Sequence, residues 1–196
     1  MIIYIHGFNS SAASYKAQAL LKHFKELGRE DEIIIPSLSS IPSYAMAELK
    51  ALVEQNISKN LSFVGSSLGG YYATWLADRY DLPAVLINPA VKPYQLLENY
   101  LGKNINHYSG EVYELTPEHI EELQDLDIEY ISKPHRYLVM LQTGDEVLDY
   151  SQAFVKFSGS RMIVEEGGDH SFTSFESHID SILDFCGVQN SGTISS

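Results

Sequence analysis

Cysteine is nearly missing from this chain: Cys186 stands alone among 196 residues. A single thiol excludes an internal disulfide framework and fits a reducing compartment. It falls on the helical stripe Phe175, Ile179, Ile182, Cys186 and is expected to be a buried apolar side chain, not a nucleophile. Basic residues are also scarce, 13 Lys and Arg against 26 Asp and Glu, for a net charge of −13. Nucleic acid and anionic membrane both need a cationic surface, so neither is expected as a partner. No apolar run reaches membrane-spanning length. The N-terminus, Met1-Ile2-Ile3-Tyr4-Ile5-His6, enters a strand pattern with no basic region ahead of it, so a cytoplasmic protein is expected and not a secreted one. There is no H-E-x-x-H, no Cys/His ligand spacing, and no Walker or dinucleotide glycine pattern, hence no metal or organic cofactor is implied.

What is present is an ordinary globular composition, 44% hydrophobic and 20% charged, long enough for one domain with a sizeable core. Short continuous apolar runs recur at residues 2–6, 33–35, 61–64, 85–87, 138–141 and 162–164. They read as strands buried on both faces. Amphipathic stretches separate most of them: Ala17, Leu20, Leu21, Phe24 and Leu27, ending at Gly28; then Met46, Leu49, Val53 and Ile57 within 42–57. A last helix is predicted over about 172–185. This alternation predicts an α/β sandwich of about six mostly parallel strands with helices on both faces. Residues 1–186 are expected to form this single domain, with 187–196 a polar tail.

The third strand carries the most informative stretch, Gly65-Ser66-Ser67-Leu68-Gly69-Gly70. G-x-S-x-G between a strand and a helix is a nucleophile elbow. The turn is so sharp that the central serine takes a positive φ, and the residues two before and two after must lack side chains. The hydroxyl of Ser67 is then lifted clear at a helix N-terminus, where unpaired N–H groups favour negative charge. The bland alternative is a Gly/Ser turn with no chemistry.

A serine hydroxyl becomes nucleophilic when an imidazole takes its proton and a carboxylate orients that imidazole. With such an elbow the chain order is Ser, then Asp or Glu, then His. The acid is sought past the fifth strand, in Gln142-Thr143-Gly144-Asp145-Glu146-Val147-Leu148-Asp149. Asp145 stands just beyond the strand; Asp149 is the competitor and could instead cap a helix. For the base, Gly167-Gly168-Asp169-His170 places His170 in a loop after the sixth strand. Of the other histidines, His23 and His178 sit on helical patterns, and His107, His119 and His135 belong to an insertion or its edge. Oxyanion donors are expected from the N–H of Leu68 and from the loop after the first strand, with the N–H of Phe8 the best candidate. If the strand order is second-first-third, Phe8 and Ser67 face each other at the switch point. His6 is read as shaping that loop through hydrogen bonds.

One interval breaks the rhythm. Between Pro89 and Lys133 no strand is evident, and two short helices are predicted near 94–101 and 117–126. An insertion this long is usually functional. Residues 89–134 are read as a helical cap over the catalytic face, holding Tyr94, Tyr100, Tyr108, Tyr113 and Tyr130, with a peripheral helical layer as the alternative. From Lys92 to Arg136 four basic residues meet nine acidic ones, a local balance of 4 − 9 = −5. Neutral esters are therefore expected to be better substrates than coenzyme A thioesters, unless Lys92, Lys133 and Arg136 gather to bind phosphate.

Together these motifs resemble the α/β-hydrolase superfamily over almost the whole chain, in a shortened version lacking the usual first two antiparallel strands. The chain is similar to the small bacterial YqiA-type esterases in Ile5-His6-Gly7-Phe8-Asn9-Ser10-Ser11, in Gly65 to Ala73, in Ile87-Asn88-Pro89-Ala90-Val91-Lys92-Pro93-Tyr94, in Thr143 to Tyr150 and in Gly167 to Phe172. The resemblance implies hydrolysis of small acyl esters or thioesters through a Ser67 acyl-enzyme, with Ser67, Asp145 and His170 as the triad. Acyl transfer or peptide cleavage at the same site, and a non-catalytic binding protein on this fold, are the rival readings.

Overall fold

The computed structural model describes residues 1–106 and 108–188; His107 and residues 189–196, most of the expected polar tail, lie outside the described residues. Six strands form one sheet: β1 (Ile2–Ile5), β2 (Ile33–Ile34), β3 (Ser62–Ser66), β4 (Ala84–Ile87), and after an insertion β7 (Tyr137–Gln142) and β8 (Arg161–Glu165). Their order is β2-β1-β3-β4-β7-β8, and every pairing is parallel. The central strands are buried on both faces, as continuous apolar runs require.

Alternate residues feed two core layers. Ile3, Ile5, Phe63, Leu86, Val139 and Leu141 pack toward α2 (Pro42–Asn56), α3 (Leu68–Tyr80) and α6 (Tyr150–Lys156). Ile2, Tyr4, Val64, Val85, Leu138 and Met140 pack toward α1 (Tyr15–Glu26) and α7 (Ile179–Phe185). Cys186 closes the second layer, 7% exposed, and burial pushes its thiol up to about 12. The fold is a parallel α/β sandwich in which β1 and β3 are neighbours at the point where the connections reverse.

Two elements differ from the sequence reading. The insertion is not purely helical. After α4 (Pro93–Leu97) and a 3-10 turn at Glu98–Tyr100 comes an antiparallel hairpin, β5 (Gly102–Ile105) and β6 (Val112–Leu115), then α5 (Pro117–Gln124). Each hairpin strand is four residues long, and β5 has no fully buried side chain, so neither shows the apolar run that marks the sheet strands. The final helix also starts late. Phe172 and Ser174 both take φ of 63°, which no helix accommodates, so a 3-10 turn begins at Phe175 and the α-helix at Ile179. Among the described residues, no helix is long and apolar enough to cross a membrane.

Candidate active site

Ser67 sits between β3 and α3 with φ 56° and ψ −121°, a region costing a non-glycine residue roughly 1–3 kcal/mol. Surrounding bonds hold it there. Its N–H donates to Ile87 O at 3.1 Å, while its carbonyl accepts from Gly70 at 2.9 Å and from Ala90 at 3.1 Å. The flanking glycines are steric necessities. A Cβ on Gly65 would meet the Gly70 Cα at 2.8 Å, and one on Gly69 would meet the His6 carbonyl oxygen at 2.6 Å. The elbow is thus wedged directly under the loop that follows β1.

His170 Nε2 lies 3.1 Å from Ser67 Oγ, and His170 Nδ1 lies 2.8 Å from Asp145 Oδ2. With Nδ1–H donating to the carboxylate, Nε2 is left as the acceptor for the serine hydroxyl. Asp145 Oδ1 also accepts the N–H groups of Val147 (2.9 Å) and Leu148 (2.8 Å). Burial raises the Asp145 carboxyl, but the His170 and backbone hydrogen bonds outweigh it and hold the group below the usual carboxylate range. Asp149 is elsewhere: it caps α6, accepting from Ser151 N at 2.9 Å.

Leu68 opens α3, so its N–H has no intrahelical acceptor. Among the described residues neither it nor the Phe8 N–H has a protein partner. Gly7 brings the Phe8 loop against the elbow, since a Cβ there would sit 3.1 Å from Ser67 Cβ. His6 supports the loop in a single neutral tautomer: Nδ1 donates to Gly7 O at 3.1 Å, and Nε2 accepts from Leu38 N at 3.2 Å. Burial lowers its basicity, outweighing the opposing effect of the Gly7 hydrogen bond.

Two buried amides hold the His170 loop, and no local sequence signature marks either for this role. Asn88, 2% exposed and at φ 39°, donates to Asp169 O at 3.0 Å and accepts from Gln142 N at 3.0 Å. Gln142 Oε1 accepts from Asp169 N at 3.0 Å and Thr173 N at 2.9 Å, and its amide group donates to Glu165 and Thr173 O. The Ile87-Asn88-Pro89 stretch holds the one available signal: a polar residue at the end of an apolar strand, within one of the segments that carry the family resemblance.

The insertion reaches the site from the side. Phe8 packs edge-on against Tyr100 (5.6 Å) and Tyr113 (6.5 Å). The Tyr113 hydroxyl donates to Asn9 Oδ1 at 2.7 Å, and Asn106 donates to Ser10 O at 3.0 Å. Tyr94 bonds Asp127 instead, and Tyr130 faces solvent. Two cavities meet at Ser67 and His170. One, of about 170 Å³, is walled by Pro93, Leu96, Leu97, Tyr100, Val147 and Leu148. The other, of about 230 Å³, is polar, lined by Tyr4, Ser10, Ser14, Lys16, Ser66 and Tyr108.

The acidic side chains of 92–136 do not line either cavity; among the described residues that line them, Lys16 is the one lysine or arginine. Lys133 and Arg136 do not gather at the site either. Both pair with Asp81 at 2.5 Å, at the far end of α3, about 20 Å along the helix from Ser67. Among the described residues no group of three His, Cys, Asp or Glu side chains is placed to hold a metal ion.

Known proteins share this architecture. Alpha/beta hydrolase domain-containing protein 10 from mouse aligns with a TM-score of 0.71 at 18% identity, over 93% of this chain and 89% of that one. Est1E from Butyrivibrio proteoclasticus, solved with ferulic acid bound, aligns with a TM-score of 0.69 at 17% identity, over 94% and 86%. In sequence, the UPF0227 protein YcfP of Salmonella gallinarum is 25% identical over 195 residues, covering 94% of this chain and 98% of that protein. A similar protein of Citrobacter koseri is 26% identical over 190 residues, with the same coverage. The model of the family described as "Uncharacterised protein family (UPF0227)" matches residues 1–187, and the chain belongs to that family.

Proposed function

We propose that this protein is a serine hydrolase that cleaves carboxylic esters through an acyl-enzyme on Ser67. The observation that carries the reading is the unbroken hydrogen-bonded chain from Asp145 through His170 to Ser67 Oγ, at 2.8 and 3.1 Å, on a strained elbow. His170 Nε2 takes the hydroxyl proton as Oγ attacks the ester carbonyl. Asp145 keeps the imidazole in the tautomer this needs and stabilises its cationic form. The N–H groups of Phe8 and Leu68 receive the oxyanion, each such donor contributing about 3 kcal/mol to the transition state in comparable sites. Nε2 then returns the proton to the departing alcohol, and a water activated by the same imidazole cleaves the acyl-enzyme.

The apolar cavity suits a small or medium acyl group. Est1E, the structural neighbour solved with ferulic acid bound, supports acyl chemistry of this kind, since ferulic acid is a carboxylic acid. Labelling with a fluorophosphonate probe tests the reading directly. Wild-type protein is expected to be labelled at Ser67 and to hydrolyse short acyl esters, and Ser67→Ala to do neither. Labelling at another residue, or none, overturns it.

A further inference from the structure

The proposed function leaves unused the one lysine at the reacting centre. Lys16 is the second residue of α1, and its ammonium donates to Ser171 O at 2.8 Å, one residue beyond His170. An ammonium has three donors; among the described residues the other two have no protein acceptor. The side chain is half-buried and lines the polar cavity together with Ser67 and His170. Around it the cavity offers neutral hydroxyls: Tyr4, with Ser14 and Ser66 beside it, and Ser10, Tyr15 and Tyr108. The Tyr15 hydroxyl is already committed to Glu176.

We propose that this cavity is a leaving-group subsite in which Lys16 recognises an anionic oxygen, a carboxylate or phosphate, on the alcohol portion of the ester. The inference rests on the esterase reading and names the substrate class of that site. Two arguments assign the alcohol side. An alkyl acyl chain gains roughly 25 cal/mol per Å² only where it leaves water for apolar surface, and that surface lines the other cavity. The leaving alcohol must also collect its proton from His170 Nε2, and Lys16 is anchored to the same loop. A half-desolvated cation held by one neutral carbonyl is costly unless an anionic partner arrives. Burial lowers the Lys16 ammonium to about 8, against the raising influence of Asp169 and Asp145, so the group is mostly charged at neutral pH. In a chain of net charge −13 this local cation supplies the selectivity for a compact anion.

Butyrate esters of 3- and 4-hydroxybenzoate, paired with those of the matching hydroxybenzamides, test the assignment. Wild type is expected to favour the carboxylates in kcat/KM, chiefly through KM. Lys16→Gln should lower the carboxylate-to-amide ratio about tenfold, the weight of one charge-assisted hydrogen bond, and Lys16→Arg should keep most of it. Losing the Ser171 tether alone slows both substrates alike, so the ratio isolates anion recognition. A ratio unchanged by Lys16→Gln overturns the proposal. So does a Lys16-dependent gain for nitrophenyl hemisuccinate, which would put the anion on the acyl side. Binding of free hydroxybenzoate against hydroxybenzamide, by calorimetry, separates the two readings. A Lys16-dependent preference without ester turnover removes the esterase reading alone; equal binding alongside turnover removes the anion subsite alone.

Discussion

At the scale of single residues, adjacent serines give the sharpest test. Only Ser67 occupies the apex of the elbow, while Ser66 ends β3, 5% exposed. Ser67→Ala is expected to lower kcat by roughly 10⁵ or more, and Ser66→Ala to keep most activity; comparable losses would displace the nucleophile. Asp145→Asn should cost about 10⁴ in kcat by favouring the wrong imidazole tautomer, whereas Asp149→Asn should cost little. The same carboxylate makes a stability prediction. Its folded-state pKa lies below its unfolded value, so its contribution is complete above the ordinary carboxylate value of about 3.9 and is lost as pH falls through the lower folded value. The difference in urea midpoint between wild type and Asp145→Asn should therefore shrink below about pH 4. A gap that widens on acidification would contradict it. Ser67, Asp145 and His170 were legible because each lies in a short local signature at a strand end. Asn88, Gln142 and Lys16 were not, because their meaning depends on partners such as Asp169 and Ser171 that are distant in the chain.

Among the elements, the sheet strands and α1 to α3 were readable from their apolar runs and stripes, and the strand order that places β1 beside β3 follows from parallel α/β packing. The hairpin β5–β6 was not, because an isolated four-residue pair half open to solvent carries no run of buried side chains. Its consequence lies in what it touches. Tyr113, on β6, donates to Asn9 and packs its ring on Phe8, so the hairpin braces the loop carrying one proposed oxyanion donor. Tyr113→Phe removes that hydrogen bond and leaves the ring. A bond worth about 1–1.5 kcal/mol, felt at the loop, should lower kcat about tenfold while KM and thermal midpoint change little. A raised KM at unchanged kcat would instead mean that the hairpin contacts substrate. The His170 loop has its own brace. Asn88→Ala strips the three hydrogen bonds of a buried amide and is expected to cost about 2–3 kcal/mol in urea unfolding, together with kcat. A variant as stable as wild type would show that water replaces the amide.

Over the whole molecule the governing quantity is charge. Net −13 on 196 residues sets up a negative field that any approaching substrate meets before it reaches the site. The acidic side chains of 92–136 do not line the two cavities, so this repulsion acts at long range and not within the pocket. Three of the nearby cations are engaged elsewhere, with Lys133 and Arg136 both bound to Asp81 and Lys156 held by Asp127 at 3.1 Å. Such a field discriminates by total charge: it scarcely affects a neutral ester, resists a monoanion weakly, and resists a coenzyme A thioester, with its several phosphate charges, strongly. Salt shortens its reach, to about 8 Å at physiological ionic strength. The contact at half-buried Lys16 is screened less, because water and ions are partly excluded there. Raising salt from about 20 to about 300 mM should therefore increase kcat/KM for butyryl-coenzyme A, leave a neutral butyrate ester nearly unchanged, and weaken the carboxylate preference assigned to Lys16 only modestly. A fall in thioester turnover with salt would mean that a cationic surface guides the phosphates after all, and the argument from net charge would fail.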